Sequence, residues 1–150
     1  MSIIAVACLE TTVLNLLQRN EFLRNYTNGI FLNPQDLNIV KPPFIYFSFS
    51  KGKMVKTKQI NSSLLCYQYI LTFEVKVIVK DKVHKKIFSI SDVVRKILTQ
   101  NVNNIKSTQY TILGSMLDNF QILRESSHNF DLTTMSMIYN VSIKSDVLAQ

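Results

Sequence analysis

Chemistry at neutral pH would have to come from very few side chains in this sequence. His84 and His128 are the residues whose ordinary titration range suits a general base, and both stand among polar, turn-forming neighbours. An exposed loop histidine is the simpler account of each. Cys8 and Cys66 could act as nucleophiles only beside a base, and neither shares a local motif with a histidine. No two of these four residues stand at zinc-ligand spacing. Phosphate cradles need glycine where the backbone approaches the ligand, yet Gly29, Gly52 and Gly114 are isolated from one another. The ten carboxylates are scattered, and Glu74 with Lys76, two apart on one strand face, suits an exposed ion pair better than acid–base work. The sequence therefore predicts a chain that is not an enzyme, with no catalytic residues, no metal and no cofactor.

Charge is the stronger signal. The chain carries a formal net charge of +7. Nine of its 17 basic residues fall between positions 51 and 86 (Lys51, Lys53, Lys56, Lys58, Lys76, Lys80, Lys82, Lys85 and Lys86), against Glu74 and Asp81 alone. Elsewhere acids and bases cancel, so the whole excess sits in one segment. Such asymmetry can mark a surface facing nucleic acid or an acidic protein. It can equally reflect solubility and the coding bias of an AT-rich genome, since the chain is rich in Asn and Ile. Aromatic residues Phe44, Tyr46, Phe47 and Phe49 precede the lysines, as they would in a stacking platform. They are contiguous rather than spaced on a solvent face, and the patch lacks arginine, which favours core aromatics.

Length and composition predict one domain over residues 1–150, ordered and globular, with 47% hydrophobic and 18% charged residues. No apolar run reaches the roughly 20 residues a membrane helix needs. The apolar start, residues 1–9, lacks the basic flank of a signal sequence. Two cysteines without Cys-x-x-Cys spacing fit a reducing compartment.

Along the chain, Leu9, Val13, Leu16 and Leu17 predict a helix over residues 10–20, with Thr11 or Thr12 as its cap. Residues 24–43 lose periodicity and hold the breakers Asn28-Gly29, Asn33-Pro34 and Pro42-Pro43, so a long connecting loop is expected. Residues 44–49 predict a buried strand, and residues 50–63 an exposed loop or hairpin arm. From Tyr67 to Lys80, apolar and polar residues alternate with period two throughout. Residues 80–86 suggest a solvated turn, and Ser89-Ile90-Ser91-Asp92 a capping box opening a second helix that ends near Asn101. Residues 110–123 carry two patterns, since Leu113, Met116, Leu117 and Phe120 fit a helix, but short strands around Gly114 are favoured, and residues 126–129 suggest a turn into a last strand with Met135, Met137, Tyr139, Val141 and Ile143 on one face. The expected class is α+β: a mostly antiparallel sheet with long strands, packed by an N-terminal helix and one central helix.

A compact chain of this size has a diameter near 38 Å, from a radius of gyration of about 15 Å. An unbroken strand over residues 67–80 spans roughly 46 Å at about 3.3 Å per residue. Its ends would outrun the body, leaving an apolar face for a neighbour to cover, unless a bulge bends it back over its own core.

Taken together, the N-terminal helix, the breaker-rich loop, the Pro42-Pro43-Phe44-Ile45-Tyr46-Phe47 strand entry, the basic arm, the long alternating strand, the single helix and the closing hairpin resemble the tail-terminator or tail-completion (neck) proteins of tailed bacteriophages. That resemblance implies a structural virion protein at the tail–neck junction, made in the host cytoplasm. It also implies a ring, usually a hexamer, that caps the tail tube and joins it to neck or connector proteins, with DNA passing through. Candidate contact residues are Phe44, Tyr46 and Phe47 of the entry strand and Lys51, Lys53, Lys56 and Lys58 of the arm, with Lys82, Lys85 and Lys86 further along. Alternatives are a nucleic-acid-binding module using residues 51–86, or another neck, tail-tube or baseplate subunit.

Overall fold

The computed structural model describes residues 3–32, 41–61, 64–80, 85–102, 105, 110–126 and 131–148. Four long strands dominate it: β2 (Phe44–Asn61), β3 (Leu64–Val79), β4 (Thr111–Ser126) and β5 (Asp131–Leu148). With the short β1 (Ile30–Leu32) they form one sheet of order β1-β2-β3-β5-β4, antiparallel except where β1 runs parallel to β2. The α+β expectation is met.

One sheet face carries a helical layer. Helix α1 (Ile3–Arg19) buries Val6, Leu9, Val13 and Leu17, spaced for a single apolar stripe. Helix α3 (Lys85–Lys96) buries Ile87, Ile90 and Val94, and a π-helical turn, Ile97–Asn101, continues the stripe through Ile97 and Leu98. Beneath them lie Ile45 and Phe47 of β2, Leu71, Phe73, Val75, Val77 and Val79 of β3, and Met135, Met137, Tyr139, Val141 and Ile143 of β5. Phe47 and Phe73 stack at 5.0 Å. Each such side chain contributes roughly 1.5–3 kcal/mol by leaving water, so strand alternation alone accounts for a continuous core.

The structure departs from the sequence expectations in several places. Helix α1 begins at Ile3, ahead of the expected start, and Thr11 and Thr12 are not caps: their hydroxyls donate to the carbonyls of Ala7 and Cys8, one turn back. The connection expected over residues 24–43 holds the end of a short helix α2 (Glu21–Tyr26) and strand β1, while residues 33–40 lie outside the described part. Asn20 caps α2 through Oδ1, which accepts from the Leu23 amide at 3.0 Å. Of the two readings of the polar stretch after Phe49, the hairpin arm holds and the loop does not, since β3 supplies a paired neighbour as far as Asn61. Helix α3 opens at Lys85, and Ser89 donates to the Lys85 carbonyl inside the helix instead of capping it. The short strands expected around Gly114 are one strand of 16 residues with two bulges.

The largest correction concerns β3. Its alternating face is not left for a neighbour: Tyr69, Leu71, Phe73, Val75, Val77 and Val79 are all buried within one chain, under the helices. The strand is as long as expected and its pairing with β5 is unbroken, but this chain covers its own apolar side.

Candidate functional site

Among the described residues, the helices leave the opposite sheet face uncovered and no strand lies beyond β4. On that face, Lys76 lies over the Tyr46 ring at 5.5 Å and pairs with Glu74 at 3.2 Å. The Tyr46 hydroxyl first, and the Glu74 carboxylate after it, hold the Lys76 ammonium above the ordinary lysine range despite partial burial. Nearby, the Thr72 hydroxyl donates to Asn140 Oδ1 at 2.9 Å, tying β3 to β5. These groups satisfy one another, and among the described residues there is no cluster of His, Cys, Asp and Glu able to hold a metal.

Bulges set the register positions of the β2 lysines in rows of this face. Register pairs Ser48 with Glu74 and Phe49 with Phe73, then skips Ser50, so that Lys51 pairs with Thr72 and Lys53 with Ile70. A second skip at Val55 pairs Lys56 with Gln68 and Lys58 with Cys66. All four rows belong to the face that carries Glu74 and Lys76, because residues directly opposite in an antiparallel pair share a face. Without the extra residue at Val55, two odd-numbered and two even-numbered lysines would alternate between faces. Lys51 and Lys53 are exposed, and the row of Gln68 adds the exposed Lys144 of β5. The register therefore puts the four lysine positions in rows of one face.

The other candidate residues are dispersed. Phe47 is 1% exposed in the main core, and Phe44 is 3% exposed on the far face, edge-on to Phe31 with ring centroids 6.5 Å apart. Both are filled into this chain, so only Tyr46 of the three aromatics lies partly open. Lys85 and Lys86 are exposed but belong to the first turn of α3, on the helical layer, apart from the β2 lysines. Lys82, His84 and His128 lie outside the described residues.

Residues 110–123 were expected as strand, but the apolar surface that β4 exposes was not foreseen. Four of its apolar residues are exposed, Leu113, Met116, Phe120 and Leu123, with Met116 the most so at 66%. Its partners Ile112, Leu117 and Ile122 pack against the core, so the strand is firmly seated while presenting apolar surface outward. The mixed helix-like and strand-like spacing of residues 110–123 was the signal: apolar residues on both faces of an edge strand fit neither simple period.

No family model and no curated protein matches this chain. Among solved structures, a chain from "Virion of native gene transfer agent (GTA) particle" matches it with a TM-score of 0.66 at 13% identity, covering 96% of this chain and 100% of that one. The likeness is one of fold, across the whole of both chains. No helix among the described residues is long and apolar enough to cross a membrane.

Proposed function

We propose that this chain is a structural virion protein of a phage-like particle, acting as a tail-terminator or tail-completion subunit. In this role, copies form a ring, a hexamer by the resemblance drawn from the sequence, at the head-proximal end of the tail. The ring closes the tail tube and meets neck or connector proteins, and DNA passes through it. The subunit is made in the host cytoplasm and ends in the virion at the tail–neck junction. Its work is steric and electrostatic, with no catalytic step.

The observation that carries the reading is the whole-chain likeness to a component of a gene transfer agent virion. The exposed apolar surface of β4 supports it, because an assembly subunit keeps such surface for its neighbours. Deleting the gene from its parent virus tests the role. The expected result is full heads and separate tails of irregular length by electron microscopy; joined particles of normal length would overturn it.

A second reading is favoured by the lysine rows of β2: a nucleic-acid-binding module. It requires DNA binding that weakens steeply with salt and is lost when Lys51, Lys53, Lys56 and Lys58 are all changed to Gln. Binding unchanged in that variant would remove these side chains from any such role. A tail-tube, other neck or baseplate subunit would share the fold, and is distinguished by its position in the particle.

A further inference from the structure

Lys51 and Lys53 of β2 and Lys144 of β5 are exposed, and none of the three has an acidic partner among the described residues. Lys76, on the same sheet face, is instead held by Glu74 and the Tyr46 ring. Register places the three in successive rows of that face: Lys51 with Thr72 and Asn140, Lys53 with Ile70 and Ser142, and Lys144 with Gln68. With strands about 4.8 Å apart and a rise of about 3.3 Å per residue, Lys51 and Lys53 stand about 7 Å apart along β2, and Lys144 about 12 Å across from Lys53.

Between them the face is mostly polar. Gln68, Asn140 and Ser142 lie half-buried there beside Ile70. The Thr72 hydroxyl uses only the oxygen of the Asn140 side chain, so its amide nitrogen stays a donor. Gly114 ends the Lys53 row, and a Cβ there would meet nothing within 4 Å. Lysine with serine, asparagine and glutamine is the set that contacts phosphate and sugar in nucleic acids. A protein partner would call for buried aromatic or arginine anchors, which these rows lack.

We propose that these rows contact the phosphate backbone of duplex DNA, with Lys51, Lys53 and Lys144 each meeting a separate phosphate; this deepens the reading of a ring through which DNA passes, and rests on it. Duplex DNA carries one charge about every 3.4 Å along each strand, closer than the lysines stand, so each can find its own phosphate. The face of a five-stranded sheet is too broad for a major groove about 12 Å wide, which admits a helix or a two-stranded ribbon. The contact therefore reads no bases. Electrostatic contacts of that kind let DNA slide, as a passing duplex must.

Fluorescence anisotropy of the full chain with two labelled duplexes of unrelated sequence tests the contact. Lys51→Gln with Lys53→Gln and Lys144→Gln removes three charges from the sheet face; Lys85→Gln with Lys86→Gln and Lys96→Gln removes three from α3, on the helical layer. All six positions are exposed, and unchanged thermal melting checks that both variants fold. The wild type is expected to bind both duplexes alike and to weaken about 40-fold between about 50 and 200 mM salt, as three phosphate contacts dictate. The sheet-face variant is expected to lose that salt dependence, its slope falling by about one for each lysine. The α3 variant should keep the wild-type slope, as should Lys51→Arg with Lys53→Arg and Lys144→Arg, which retains the charges. Equal loss in both Gln variants would overturn the contact in favour of net charge alone, and a strong preference for one duplex would overturn a backbone contact. A wild type that binds neither duplex at low salt would overturn the proposal, whereas the gene deletion tests the virion role separately.

Discussion

Glu10 sits on α1 partly buried, and loss of water raises its carboxyl pKa above the ordinary value. Below the ordinary carboxylate range both folded and unfolded chains are protonated there, and the group costs nothing. As pH rises through the raised folded value, the folded chain must ionise a poorly hydrated acid, and stability falls. Glu10→Gln is expected to raise the melting temperature near pH 7 and to leave it unchanged near pH 3; an equal gain at both would assign the effect to packing. Asp92 acts in the opposite sense, since its hydrogen bond with Arg95 at 2.8 Å holds its carboxyl below the usual range. Its contribution is present above the ordinary value and lost as pH falls through the lowered one. Both chains in the comparison keep Asp92, so it cancels. Legibility at this scale was uneven. The inward residues of β3, from Tyr69 to Val79, could be read from alternation alone, because period two maps directly onto a covered face. The shared face of Lys51, Lys53, Lys56 and Lys58 could not, because it depends on the bulges at Ser50 and Val55, which no residue type announces.

Elements were legible where one period ran unbroken. α1, β3 and β5 follow that rule, each with a single buried stripe. The outer half of β2 does not, because its apolar residues are few and the neighbour that makes it a strand, β3, is remote from any local pattern. α2 is set by one side chain, the Asn20 cap, too brief a signal to stand out among breakers. Asn20→Ala is expected to cost about 0.5–2 kcal/mol, read as a lower melting temperature with an otherwise unchanged fold. An unchanged melting temperature would show that packing of Leu23, fully buried, holds the helix by itself. A cavity variant gives the contrasting scale: Phe73→Ala, in the stack with Phe47, is expected to cost about 3–5 kcal/mol in chemical denaturation. A cost below about 1 kcal/mol would contradict the placement of the core between α1, α3 and the sheet.

For the whole molecule, the long strand gives no reason for assembly. The long strand does exist, yet its apolar face is covered by α1 and α3, so it asks for no partner. Surface that a partner could cover lies instead at the rim, where β4 ends the sheet among the described residues and where Met116 and Phe120 meet water. That shift was invisible in the sequence because an edge is a property of strand order, and β4 follows β3 in the chain while lying beyond β5 in the sheet. The fold itself was recoverable from patterning, and it is shared across the whole of both chains with a chain of a gene transfer agent virion. The most direct test is the mass of the particle that copies of this chain form, measured by light scattering over a wide concentration range, alone and after addition to tail tubes from the same virus. A single discrete multiple of the chain mass is the expected result. One copy per particle under every condition, with or without tubes, would contradict the account.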